Sequence, residues 1–205
     1  MRRVALIFLS LVLALVGGSA AGAEDGFYVI PAMKGNYAPV PKTGQTQFYA
    51  TGDDGYWHKG VAWPNPRFTD NHNGTVTDNL TGLIWMQNAS YFGPKNWADA
   101  VSAANALAAG PGENDLKDGS KAGDWRLPNI RELQSLVDYG REGAVSGPAV
   151  PVPNPFTGVE SSIYWSSTTY TINTTYACYV YFYDGRVDGT PKSGNYLVWC
   201  VRGGQ

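Results

Sequence analysis

The residues able to do chemistry are few, and their types narrow the choice. Cys178 and Cys200 are the only thiols, and His58 and His72 the only imidazoles. A hydrolytic triad would have to draw its base from one of those histidines. His72 falls in the turn-forming stretch Asp70-Asn71-His72-Asn73-Gly74 and His58 in a Gly/Pro-rich region, and neither stands near a Gly-x-Ser-x-Gly elbow. Among 17 Asp and Glu no motif nominates a facing pair for glycoside cleavage. Asp70, Asn71, Asn73 and Asp78 could gather oxygens around calcium, but that cation wants several carboxylates. An Asn73-Gly74 hairpin turn with polar flanks accounts for the same residues without a metal, and likewise for the Asn-x-Ser/Thr triplets at Asn73, Asn79, Asn88 and Asn173. The reading is of no catalytic residue, no metal ligand set and no cofactor.

What remains is a stripe suited to binding. From Tyr164 onward the pattern has period two, so that Cys178, Val180 and Phe182 share one strand face and Tyr179, Tyr181 and Tyr183 the other. Aromatic faces with polar edges suit a sugar or a protein surface, and Trp199 is a candidate to join them; burial against a helix or the N-terminal arm is the competing reading. The flanking loops 170–176 and 184–195 add Tyr170, Asn173, Arg186 and Lys192, since loops on a rigid scaffold are where binding groups usually sit. The seven candidate ligand contacts are therefore Tyr170, Asn173, Tyr179, Tyr181, Tyr183, Arg186 and Lys192. Trp85, Trp125 and Trp165 are read as core, and Arg126 and Arg202 as members of a structural hydrogen-bond network.

The elements that must position these residues are legible in outline. Residues 67–86 read as a meander of short strands punctuated by Asn73-Gly74 and Thr81-Gly82. Asn96 caps a helix over 96–109 whose Trp97, Val101, Ala104 and Ala108 recur at helical spacing. A second helix follows Pro128, opened by a capping box of Asn129 and Glu132. Asp184-Gly185 is a turn, and Tyr196, Val198 and Cys200 alternate on a final strand. If that strand is the antiparallel neighbour of the first, residue 178 lies opposite 200, 180 opposite 198 and 182 opposite 196. The order is α+β, without the strand–helix alternation of a parallel sheet.

Residues 1–23 carry Arg2 and Arg3, an apolar run from Val4 to Val16 and a small-residue end at Ala21-Gly22-Ala23, the three parts of a cleavable secretory signal. The run is too short to span hydrocarbon comfortably, so no membrane insertion is expected after cleavage. Residues 24–66 form an irregular Gly/Pro-rich arm packed on one domain, 67–205. Without Arg2 and Arg3, the 15 basic residues become 13 against 17 acids, a formal net charge of −4. Such a surface does not favour nucleic acid, whose affinity comes from neutralising phosphates. Export brings both cysteines to a compartment where disulfides persist, so a single Cys178–Cys200 bridge is expected; a redox-active or metal-bound pair is the alternative.

Five segments appear together in order: 67–71 (Arg-Phe-Thr-Asp-Asn), 74–85 (Gly-Thr-Val-Thr-Asp-Asn-Leu-Thr-Gly-Leu-Ile-Trp), 124–128 (Asp-Trp-Arg-Leu-Pro), 164–168 (Tyr-Trp-Ser-Ser-Thr) and 200–204 (Cys-Val-Arg-Gly-Gly). In these the chain resembles, from about Pro39 to Gln205, the family named for the C-terminal domain of the Legionella collagen-like adhesin. The resemblance implies a C-type-lectin-like fold related to formylglycine-generating and sulfatase-modifying domains: two helices on a small twisted antiparallel sheet, with long ordered loops. It implies adhesin-like attachment, in the named adhesin to sulfated glycosaminoglycans, although a net negative surface lowers that expectation here. Relatives often carry a cysteine near Ala104 to pair with the final strand, and an acidic residue where this chain has Asn73. The first departure leaves Cys178 as the partner of Cys200, and the second weakens a calcium loop.

The expected function is an exported, non-catalytic domain in the periplasm, on the bacterial surface or secreted, recognising a glycan or surface protein. The alternatives are a self-associating envelope protein, a homo-oligomer such as a trimer, and an oxidase related to formylglycine-generating enzymes that would use the cysteine pair. The argument against the oxidase rests on the bridge and on a core location for both sulfurs.

Overall fold

A computed structural model of the chain describes residues 40–110, 116–141 and 143–203. The expected signal at 1–23 and the first part of the arm, 24–39, lie outside the described residues. The arm contributes one helical turn, α1 (Asp54–Trp57), and is tied to itself where Pro41 bridges Val61. It meets the rest of the chain through the Tyr139 amide, which donates to the Thr43 carbonyl at 2.9 Å. There the backbones touch: a Cβ on Gly140 would lie 2.4 Å from the Gly44 carbonyl oxygen, so only glycine fits.

The meander forms as its turn residues direct. β1 (Phe68–Asp70), β2 (Thr75–Asp78) and β3 (Ile84–Met86) pair antiparallel, with Gly74 and Gly82 at positive φ in the two turns. Residues 97–106 form α2 (Trp97–Ala106), with the Asn96 side chain accepting from the Asp99 amide. The helix α3 (Ile130–Gln134) opens on the expected capping box: Asn129 accepts from Arg131 and Glu132, and Glu132 accepts from the Asn129 amide at 2.8 Å. A further turn, α4 (Gly143–Ser146), lies in the connection to the C-terminal strands. There β4 (Ile163–Thr169), β5 (Tyr176–Tyr181) and β6 (Arg186–Pro191) make a three-stranded antiparallel sheet, packed against by α3. The chain is thus of mixed α+β class.

Two expectations are corrected here. The single sheet is two, since β7 (Val201–Arg202) joins the meander as its fourth strand, beside β3. The last segment is not a neighbour of β5: Cys178 is opposite Gly189, Val180 opposite Val187, and Trp85 opposite Val201. Residues 196–202 instead run between the sheets. Leu197 bonds to Ile163 and Trp165 on one, Met86 donates to the Cys200 carbonyl on the other, and Val201 exchanges two bonds with Arg126.

Leu197 to Val201 are accordingly all buried, with no exposed face. Trp199 sits where the layers meet, within 6 Å of the rings of Trp85, Phe156, Tyr164 and Phe182, and donates its indole N–H to the Met86 carbonyl at 2.8 Å. It belongs to the core and not to a binding stripe. Trp85, Trp125 and Trp165 are core as expected. Arg126 binds Glu132 through two bonds and the Gly203 carbonyl through a third, and Arg202 pairs with the buried Asp118 at 3.1 Å. Both arginines hold the terminal strand in place.

Candidate functional site: the tyrosine face of the C-terminal sheet

Directly opposed residues in an antiparallel sheet share a face. Tyr181 faces Ile163 and Arg186, and Tyr179 faces Trp165 and Asp188, so these six side chains line one surface. Its inner part is filled. Trp165 is buried, lies edge-on to Tyr196 at 5.0 Å and donates to the Lys95 carbonyl, while Tyr196 reaches Thr190 through its hydroxyl at 3.3 Å. Tyr179 is 8 % exposed; burial, aided by the Asp188 carboxylate, raises its phenol above the ordinary value and keeps it neutral.

The outer part is open. Tyr181 and Tyr183, both half-buried, stack with centroids 5.6 Å apart and planes 18° from parallel. The exposed Arg186 places its guanidinium 5.4 Å from the Tyr181 ring. The turn between β5 and β6 fixes this group: the Asp184 carboxylate accepts the Arg186 amide at 3.0 Å, and Gly185 packs on α3's continuation with φ 79°. Any Cβ at 185 would lie 2.5 Å from Val137. Neither phenol hydroxyl nor the guanidinium has a hydrogen-bond partner among the described residues. Stacked rings fixed in place, with three unpaired polar groups at their edges, can receive a ligand without first being ordered.

The other nominated residues lie elsewhere. Tyr170 packs over Gly189, which shares its face with Cys178, so it lies on the opposite side of the sheet. Asn173 closes its own turn by accepting the Thr175 amide and hydroxyl. Lys192 caps the far end, its ammonium 4.1 Å from the Trp97 centroid and bonded to Thr169 at 2.9 Å. The five steps from Arg186 to Pro191 alone span roughly 17 Å. Of the seven candidates the fold therefore gathers Tyr179, Tyr181, Tyr183 and Arg186 and separates the rest. Asp188 and Tyr196 belong to the same surface and were not nominated. For Asp188 a signal is available: a two-residue Asp184-Gly185 turn would pair 188 with 181, already on the tyrosine face, and the observed four-residue loop 182–185 pairs it with 179 on that same face.

The cysteines do not form the expected bridge. Both are free. Cys178 is half-buried on β5, and Cys200 is fully buried before β7. Desolvation raises the Cys200 thiol well above its usual range, and desolvation with the Asp188 carboxylate raises Cys178. Both shifts suppress the thiolate that oxidative chemistry needs. The Asp70–Asp78 region is a turn: Asp70 accepts the His72 amide, and Asn73 accepts the Thr75 amide and hydroxyl. Asp78 is taken by Arg67 through two bonds of 2.7 and 2.9 Å. Among the described residues no group of three or more His, Cys, Asp or Glu could hold a metal ion, and no helix is long and apolar enough to cross a membrane.

No curated protein matches the chain. A family model described as the Lcl C-terminal domain matches residues 74–202, from the β1–β2 turn to the end of β7. The match takes in both sheets' shared segment and the tyrosine face, and stops short of the arm. This chain belongs to the Lcl C-terminal domain family.

Proposed function

We propose that the chain is an exported, non-catalytic, adhesin-like domain that binds a glycan or a protein of the cell surface or periplasm through the tyrosine face. The observation that carries this is the Tyr181–Tyr183 stack beside Arg186, whose three polar tips have no hydrogen-bond partner among the described residues. An Arg held over an aromatic ring is a group suited to an interface centre. Family membership supports an attachment role, because the family takes its name from the C-terminal domain of a collagen-like adhesin. The packing of α2 and α3 with two small antiparallel sheets and the Arg-Leu-Pro segment leading into α3 are compatible with a C-type-lectin-like fold. Against the oxidase reading stands burial of Cys200, not a disulfide.

The test is a glycan array and a surface-protein overlay with the chain and its Tyr181→Ala and Arg186→Ala variants, alongside size-exclusion chromatography. Reproducible binding that drops about tenfold in either variant, equivalent to about 1.4 kcal/mol, is the expected result. An oligomer without a ligand, whose assembly survives both substitutions, would refute it in favour of a structural envelope protein.

A further inference from the structure

The arm carries a second aromatic surface, outside the segment matched by the family. Phe48, Tyr49, Tyr56 and Trp57 are 50, 77, 51 and 55 % exposed, whereas the core tryptophans are fully buried. Three of them are contiguous, Phe48 lying 5.8 Å from Tyr56 and Tyr56 meeting Trp57 edge to face at 4.9 Å and 85°, and Tyr49 follows Phe48 in the chain. Exposed aromatic patches of this kind on an ordered loop mark interaction sites.

The loop is built to hold the rings still. The Asp53 carboxylate accepts the amides of Tyr49, Ala50 and Tyr56 at 2.9, 3.2 and 2.7 Å, tying both ends of the aromatic stretch to one residue. Gly55 lies so close to the preceding segment that a Cβ would come within 1.9 Å of the Gln47 carbonyl oxygen. His58 ends the helical turn in a left-handed conformation, φ 48°.

We propose that this cluster is a separate binding site for an uncharged glycan. Two observations choose that class. The hydroxyls of Tyr49 and Tyr56 and the Trp57 N–H have no hydrogen-bond partner among the described residues, so each ring offers an apolar face and a free polar edge together. A sugar needs both, for its C–H face and its hydroxyls. Among the described residues 49–59 the charges are Asp53 and Asp54 against Lys59, whose ammonium stands 5.4 Å from the Trp57 centroid. That set has no positive excess to attract a sulfated chain or an anionic lipid surface.

The proposal rests on the chain being a binding protein but not on the tyrosine face, and the two fail separately. Cellohexaose, chitohexaose and mannohexaose are titrated into the full chain by calorimetry and tryptophan fluorescence, with heparin and anionic phosphatidylserine vesicles as competing probes. Binding of at least one uncharged hexasaccharide is expected, weakened about tenfold or more in both Trp57→Ala and Tyr49→Ala and unchanged in Tyr181→Ala. Gly55→Ala, which removes no ring, is expected to weaken it as well. No binding by any of the three sugars, preference for heparin or vesicles, or loss in Tyr181→Ala with Trp57→Ala unaffected each overturns the proposal; the last leaves the tyrosine face standing. Thermal melts of each variant exclude unfolding as the cause.

Discussion

Replacing Arg67 by methionine tests a buried ion pair within the meander whose arginine also reaches the C-cap of α3. The Arg67 and Asp78 side chains are 5 and 0 % exposed, and their two bonds measure 2.7 and 2.9 Å. Arg67 also donates to the Ser135 carbonyl at 2.9 Å and lies over the rings of Trp63 and Phe68. Methionine keeps much of the stem packing and removes the charge, leaving the Asp78 carboxylate buried. Breaking such a pair from one side costs about 3–5 kcal/mol. Two features set the value at the low end: Asp78 keeps the Leu80 amide and the Thr81 hydroxyl as donors, and the native Arg67 already has one buried nitrogen, Nη1, without a partner among the described residues. A loss of about 3 kcal/mol corresponds, for a chain of this size, to a fall in Tm of about 6–12 °C. Removing both charges in Arg67→Met with Asp78→Asn eliminates the stranded carboxylate, so the double variant should cost at least about 1 kcal/mol less than the sum of the two single ones. Urea unfolding followed by tryptophan fluorescence gives all four stabilities. An Arg67→Met protein within about 1 kcal/mol of the parent, or strict additivity in the cycle, would refute the reasoning.

Three other outcomes follow from the geometry. Iodoacetamide at neutral pH should modify Cys178 slowly and Cys200 only after denaturation, with the Cys178 rate still climbing above the pH at which a free thiol would level off, because its folded-state pKa is raised; a native mass two hydrogens short of the dithiol would contradict this. Gly185→Ala should destabilise by about 1–3 kcal/mol in the same urea assay, since the added carbon meets Val137 and Tyr139 at 2.5 and 2.8 Å on a left-handed backbone; a neutral effect would show that the turn can move freely. Asp138 is pushed above the usual carboxylate range, chiefly by burial, so its contribution is full below the unfolded pKa and is lost as pH rises through the folded one. Asp138→Asn should therefore gain stability relative to the parent between acid and neutral pH, and a pH-independent difference would rule that out.

What the sequence disclosed were features whose physics is local. The Asn129–Glu132 box, the Asn96 cap and the glycine-marked turns each involve residues within a few positions, and all formed. The alternation of 178–183 correctly separated Tyr181 and Tyr183 from Val180 and Phe182. Failure came where pairing is distant. Tyr196, Val198 and Cys200 look like one strand face, but the uninterrupted apolar run Leu197-Val198-Trp199-Cys200-Val201 was the better guide, since burial on every side leaves no polar alternate. Nothing local specifies that Val201 should find Trp85, and the cysteine pairing went wrong with that register. The arm's aromatic cluster was hidden for another reason: exposed and buried rings are the same residues in a sequence.

The segment between the two sheets also governs when the protein can fold. A chain is made from its N-terminus, and neither layer can close on the other until Trp199 is available to fill their junction and Val201 to complete the fourth strand. Until residue 202 has been synthesised, the meander and the three-stranded sheet are halves with their shared apolar surfaces open. The two layers are therefore joined by one short apolar segment, and their closure waits on it.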